Sequence, residues 1–251
     1  MNQEDNLRYW EQRAREASGQ SVSWWDINMK AIELDTLAPL LPAGAEVLEV
    51  GCSNGAATAE LAARSGARIT GIDYSPAAIA QAQALQRDGL RFEQADILHY
   101  HPARSYDIVF SIRCLINLQA DGAQRTALER IHAALQPGGL YLMCEAFDGG
   151  LLRLNEARAF FGLAPMPMPA HNRYFKDAEF DGLLAGLFRV ERVIRHASLY
   201  YLGTRVFQYL AMDDTPRAPD TPLHRFFRGY GHETRHSGDF SPQRLYLLRR
   251  L

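Results

Sequence analysis

An α/β fold built on a doubly wound, mostly parallel sheet is what this chain predicts, and three observations carry the expectation. Short apolar runs alternate with helical periodicity from about residue 44 to 147. The first run ends in a glycine-spaced loop, and the second ends on an acidic residue. Strands that alternate with helices need right-handed crossovers, so they lie parallel with helices on both faces of the sheet.

The elements follow in order. Leu7 to Ala17 reads as a short helix. A second helix, about Trp25 to Leu41, places Ile27, Ala31, Leu34, Ala38 and Leu41 at helical spacing before Pro42–Ala43–Gly44 ends it. AEVLEVG is a buried strand, and Ala56 to Ser65 is helical. ARITGIDY is the second strand. Ser75–Pro76 opens the next helix as N-cap and first helical residue, and that helix runs to about Arg87. LRFEQADI and YDIVFSIR are the third and fourth strands. Gly122 to Leu135 is helical, Pro137–Gly138–Gly139 turns, and LYLMCEAF is the fifth strand. In the tail, NRYFKDAEFDGLLAGLF reads as a helix, RVERVIRHASLYY as a strand, and QRLYLLRR as the final strand. Between these two strands, residues 202–242 form a stretch rich in Pro, Arg, His and Gly, and a loop of that length is functional or disordered.

Bulk properties set the outer bounds. The 251 residues suit one α/β domain with decorations, and 47% hydrophobic with 22% charged residues is the composition of a globular protein with a core. A net charge of −2 gives no general attraction to nucleic acid or an anionic membrane. The start, MNQEDNLRYW, has no apolar signal region, and no run reaches the length of a membrane span. The three cysteines, Cys52, Cys114 and Cys144, sit in apolar strand-like contexts and read as free thiols in a reducing cytoplasm. No Cys/His cluster, H-E-x-x-H or tight Asp/Asn group argues for a metal. Lys30 and Lys176 are the only lysines, so arginine carries nearly all positive charge.

The loop Gly51-Cys-Ser-Asn-Gly55 lacks the dinucleotide fingerprint GxGxxG. Bare backbone at the end of a buried strand still suits a nucleotide-like ligand, and Asp73, ending the second strand, is placed to accept from a ribose diol. Such a ligand belongs at the carboxyl ends of the strands, near the point where strand order reverses.

With VLEVGCSNG, GIDYSPAAI, QADI, YDIVFSIRCLINL and LQPGGLYLM in this order across about Ala45 to Phe147, the chain resembles the class I S-adenosylmethionine-dependent methyltransferases. The middle glycine of the loop is Ser53 here, a departure the family tolerates. The resemblance implies a Rossmann-like, seven-stranded sheet with an antiparallel last strand. It also implies a helical cap at 1–43, a cofactor-binding core at 44–147, and an acceptor-binding half at 148–251 with an insertion at about 202–242, all in one domain. The flanks RYWEQRA, SVSWWDINMK, LNEARAFFGL, HNRYF, YYLGTRV and GDFSPQRLYLLRR are similar to a bacterial subgroup associated with polysaccharide and specialised-metabolite biosynthesis.

Carried over residue by residue, the resemblance puts the Gly51–Gly55 backbone, Ser53 included, against the methionine and ribose portions of S-adenosylmethionine. Glu49 organises that loop. Asp73 holds the ribose, and Tyr74 lies against adenine. Asp96 accepts from the adenine amino group beside the Ile97 backbone, with a cap or turn aspartate as the plainer reading of Asp96. Ser111 and Arg113 border the sulfonium, and Trp10 and Arg13 close over the methionine end. The product would be S-adenosylhomocysteine.

For the acceptor, His171 before a helix is the first candidate base or orienting group, against a plain loop histidine. Glu145, ending strand five, and Tyr200 and Tyr201 are alternates, with one tyrosine of the pair read as strand packing; His196 reads as a plain strand histidine. Arg153, Arg158, Arg173, Arg195 and Arg205, with Asn172, are candidates for clamping a carboxylate or phosphate, against solvated arginines of an arginine-rich chain. Trp24 and Trp25 pack the cap or line the site. The stretch 202–242 is a candidate lid, or a dimer contact in a homodimer.

The expected activity is O-methylation of a sugar-derived or acidic small molecule. N-methylation of a small molecule, methylation of tRNA or protein, and a non-catalytic binding protein stand as alternatives. SIRCLIN replaces the Asn/Asp-Pro-Pro-Tyr/Phe motif of base and amide methylation, and no RNA-binding domain is evident.

Overall fold

The computed structural model describes residues 2–16, 26–211, 220–233 and 238–251. Trp24, Trp25 and parts of the 202–242 stretch lie outside the described residues. Two helices, α1 (Gln3–Glu16) and α2 (Ile27–Leu37), precede the sheet. The sheet strands are β1 (Glu46–Val50), β2 (Arg68–Asp73), β3 (Leu90–Gln94), β4 (Tyr106–Ile112), β5 (Leu135–Ala146), β6 (Phe188–Ile194) and β7 (Gln243–Arg250). Their order is β3-β2-β1-β4-β5-β7-β6. The first five run parallel, and β7 inserts antiparallel between β5 and β6. The sheet is therefore seven-stranded and mostly parallel, with an antiparallel last strand.

Crossovers α3 (Ala56–Ser65), α4 (Pro76–Gln83) and α5 (Ala123–Ala134) cover its two faces. β1 is buried on both sides and reads as a continuous apolar run. One core cluster joins Leu48, Val50, Tyr141 and Met143 to α5; the other joins Val47, Phe110, Leu142 and Cys144 to α2 and α3. The alternation of β5 residues between the clusters is the pleat of a strand covered on both faces. Strand order reverses between β2-β1 and β4, and this opens the crevice at the carboxyl ends.

Three local expectations change. β5 starts at Leu135, ahead of the expected turn: residues 136–139 have no register partner and bulge out between the Tyr106–Leu135 and Ile108–Leu140 pairs, with Gly138 at φ 73°. The helix expected from Asn172 begins only at Asp177 as α7 (Asp177–Leu184), because Phe175 first makes a bridge to Phe147. The strand expected to reach Tyr201 stops at Ile194. Ala197 turns into the left-handed region at φ 63°, and α8 (Ser198–Leu202) follows. The insertion is not bare loop, for it holds a π-helical turn (Gly203–Phe207), α9 (Gln208–Ala211) and α10 (Pro222–Arg228). Helix α6 (Asp148–Phe160) follows β5. No helix among the described residues is long and apolar enough to cross a membrane.

Candidate functional site

A cavity of about 280 Å³ opens over the carboxyl ends of β1, β2 and β4. Its floor is the β1 loop. Gly51 (φ 80°) and Gly55 (φ 75°) both lie in the left-handed region, as does Ser53 (φ 51°). A Cβ on Gly51 would stand 2.3 Å from Cys114 Sγ, so only glycine lets the loop pass the end of β4. A non-glycine residue at positive φ is also found at Arg113 (φ 50°), on the opposite wall. Two strained backbone positions facing one cavity mark a functional site.

The acidic residues are held by the fold. Asp73 accepts from the backbone N–H of Ser53 (2.9 Å) and of Ser75 (3.0 Å), which ties the loop to β2. Burial pushes the Asp73 carboxyl up, and those two N–H groups oppose it. Asp96 caps the short turn Ile97–His99 by accepting from Leu98 N at 2.9 Å, and it also lines the cavity, so the cap reading and the ligand reading coexist. Glu49 is buried, its Oε2 has no hydrogen-bond partner, and burial pushes it up to about 7, with the Thr58 hydroxyl and then Lys30 opposing.

The roof is α1. Tyr74 donates its hydroxyl to Leu7 O (3.1 Å), Ser75 donates to Glu11, and Trp10 Nε1 donates to Asn117 Oδ1 at 3.2 Å. Asn6 Nδ2 bonds both Asn117 O (2.7 Å) and His171 O (2.9 Å), while its Oδ1 is buried without a partner. The His171 ring stacks on Tyr9 with centroids 4.9 Å apart and meets Trp10 edge-on at 5.4 Å. Burial and then the Arg13 charge hold His171 below its ordinary value, so the imidazole is neutral at pH 7.

Of the expected cofactor residues, Glu49, Gly51, Ser53, Asp73, Tyr74, Asp96, Ile97, Arg113, Trp10 and Arg13 all line this cavity. Gly55 and Ser111 do not. Gly55 starts α3 behind the loop, and Ser111 is buried, sharing hydrogen bonds with Tyr141 (2.8 Å) and Glu145 (2.7 Å).

Of the acceptor candidates, His171, Asn172 and Tyr201 line the cavity and the others are spent elsewhere. Glu145 is fully buried outside it. Its Oε1 accepts from Ser111, Cys114 N and Leu115 N, the latter two at 3.0 Å, and its Oε2 from Ile116 N at 3.3 Å. These bonds make it the cap of the turn Leu115–Asn117 rather than a base. Tyr200 donates to Asp26 at 2.7 Å, and Arg205 pairs with the same buried Asp26 at 2.5 Å. Arg158 is buried and donates to Ala164 O (2.7 Å) and Arg205 O. Arg153 and Arg195 both reach Asp239, and Arg173 reaches Asp121 (2.8 Å) and Gln119 O. The fold therefore does not gather these arginines into a clamp. His196 is buried away from the cavity with both ring nitrogens unpartnered.

Several lining residues escape a reading of sequence alone: Asn6, Lys30, Tyr174 and Gln243. Lys30, on α2, is buried, and burial lowers its ammonium pKa, with Arg113 adding to the effect and Glu33 and Glu49 opposing it. Arg113 Nε donates to both oxygens of buried Glu33 (3.1 and 3.3 Å), whose carboxyl burial raises to about 7.

The residues fit S-adenosylmethionine. A loop carrying Gly51 and Ser53 at positive φ, two carboxylates at the β2 and β3 ends, and unpartnered oxygens on Glu49 and Asn6 present acceptors and bare backbone to a nucleoside carrying an amino acid. When bound, the cofactor supplies a methyl group already activated on a sulfonium. The chain's own part is to hold the nucleoside, exclude water under α1, and keep a neutral imidazole at the cavity wall.

Comparison with known proteins agrees. Residues 47–139 match the family described as a methyltransferase domain. The chain is 38% identical over 111 residues to a trans-aconitate 2-methyltransferase of Deinococcus radiodurans, covering 44% of this chain and 41% of that one. It is 33% identical over 112 residues to a carboxy-S-adenosyl-L-methionine synthase of Chromohalobacter salexigens, covering 41% and 40%. The chain thus spans about two fifths of the length of these curated relatives. Among solved structures, the N-methyltransferase NodS of Bradyrhizobium japonicum WM9, in complex with S-adenosyl-L-homocysteine, aligns over 98% of this chain and 97% of its own at TM-score 0.55. At 16% identity that likeness is one of fold. Residues 47–139, with the cradle they build, are the stretch of this chain that is similar to a methyltransferase domain.

Proposed function

We propose that this protein transfers a methyl group from S-adenosylmethionine to an oxygen of a small, sugar-derived or acidic metabolite. The observation that carries this reading is the single cavity running from the glycine cradle to His171. It is small and roofed by α1, which suits a metabolite rather than a nucleic acid or a protein surface. A hydroxyl acceptor needs its proton taken as the methyl arrives, and His171, neutral and half-buried on the cavity wall, is the group suited to take it. The name of the Deinococcus relative, which acts on trans-aconitate, lends the acidic alternative some support.

The test is transfer of label from isotopically marked S-adenosylmethionine into a methyl-depleted extract of the source cell, separated by size. Label in the small-molecule fraction supports the reading and gives a product mass. Label in macromolecules, or none, refutes it.

A further inference from the structure

The far end of the cavity holds a polar group with no partner. Gln243 is 3% exposed and lines the cavity, and its Oε1 has no hydrogen bond. Burying a carboxamide oxygen without a partner is unfavourable, so a group in that state at a cavity wall marks the place of a ligand. Its position in the sheet says which ligand. Gln243 opens β7, opposite Ala146 of β5, and β7 is three strands from β1 in the order β1-β4-β5-β7. At about 4.8 Å per strand it stands roughly 14 Å from the glycine cradle, on the side away from Asp73 and Asp96. That is acceptor territory.

The surroundings narrow the chemistry. Tyr201 and Tyr174 line the same wall, and burial pushes both phenols well up, so they stay protonated and can both donate and accept. Arg113, paired with Glu33, also lines the cavity. A carboxamide oxygen wants a donor, which could be a hydroxyl or an ammonium. An ammonium has no lone pair to accept from a tyrosine or from Arg113, whereas a hydroxyl can donate a hydrogen bond to Gln243 Oε1 and accept one from either. We infer that Gln243, Tyr201 and Arg113 form the acceptor subsite, and that it selects a hydroxyl-bearing, non-cationic acceptor over an amine. This inference rests on the methyltransferase reading and gives that reading its substrate class.

The test compares wild type with Gln243→Met, which keeps the shape and loses the oxygen, and Gln243→Glu, which keeps an accepting oxygen. S-adenosylhomocysteine binding by calorimetry shows whether each variant is folded and its cradle intact. Labelled transfer into the small-molecule extract is then titrated by extract concentration, and the product is passed over a cation exchanger at pH 5. The expected result is an unretained product, a roughly tenfold higher half-saturating extract concentration for Gln243→Met, a smaller change for Gln243→Glu, and homocysteine-analogue affinity within about twofold throughout. A retained, cationic product overturns the inference, as does Gln243→Met saturating like wild type. If wild type binds S-adenosylhomocysteine but labels nothing, the methyltransferase reading itself falls and this inference with it.

Discussion

Substituting Gly51 by alanine is the sharpest available probe of the cradle. At φ 80° an L-residue carries about 1–2 kcal/mol of left-handed strain. The new Cβ would also lie 2.3 Å from Cys114 Sγ and 2.7 Å from Cys114 Cβ. Overpacking of that kind adds about 1–3 kcal/mol. Together the change should cost about 2–5 kcal/mol, a large part of the stability of a domain this size. The collision term has its own signature. Cys114→Ala removes the sulfur but leaves a Cβ in place, so it relieves only part of the clash. Cys114→Gly removes both atoms, so the pair Gly51→Ala/Cys114→Gly should show about 1–3 kcal/mol of favourable coupling while the left-handed strain persists. Urea unfolding of the four proteins of that cycle measures this, with the denaturant slope as a check that the unfolding reaction is unchanged. A Gly51→Ala variant within about 0.5 kcal/mol of wild type, or a cycle with no coupling, would refute the packing argument.

Three more outcomes follow from the site. Glu145→Ala leaves three buried N–H groups and the Ser111 hydroxyl without their acceptor and should lower stability by about 3–5 kcal/mol; if Glu145→Gln keeps wild-type stability yet loses turnover, the carboxylate is a base after all. For His171, the acid limb of kcat/KM should lie below pH 6.5 and move up when Arg13 becomes Gln, and His171→Asn should cost about 100-fold or more in turnover without weakening S-adenosylhomocysteine; an acid limb that ignores Arg13 would remove His171 from the role. Glu49 is pushed up to about 7 by burial. An α-ammonium in contact with Glu49 favours its ionised form, so on such a contact affinity for S-adenosylhomocysteine should rise from pH 5.5 to about 7 and then level; on folding alone the sign reverses, because a raised carboxyl adds most stability below about 4.5 and loses it as pH climbs to 7. A pH-independent affinity that Glu49→Gln leaves unaltered would exclude Glu49 from contact with the ligand's charge.

The cofactor half was legible because its geometry is local. A strand, a turn and a helix start fix Gly51, Ser53 and Asp73 relative to one another within one βα unit and its neighbour, and Asp73 Oδ2 does bond Ser53 N. The acceptor half was not legible, because residue type does not reveal pairing across the chain. Arg205 reads as an anion clamp until Asp26, 179 residues away in sequence, is found beneath it. Glu145 ends a strand, where catalytic carboxylates stand in many folds, yet the turn after β4 folds back and takes up both its oxygens. Lys30 and Gln243 carry no motif at all; α2 and the antiparallel β7 bring them to the cavity.

The first helix joins two tasks that a catalyst could have kept apart. Tyr9 stacks on the imidazole of His171, while Trp10 and Arg13 line the same cavity. On the proposed reading, a helix that lifted to exchange cofactor would strip the imidazole of its stacking partner. Loading and proton abstraction would then be mutually exclusive in time, so a half-open enzyme would carry an alkylating agent with no aligned base beside it. Such an arrangement favours compulsory-order kinetics, with the spent thioether departing last.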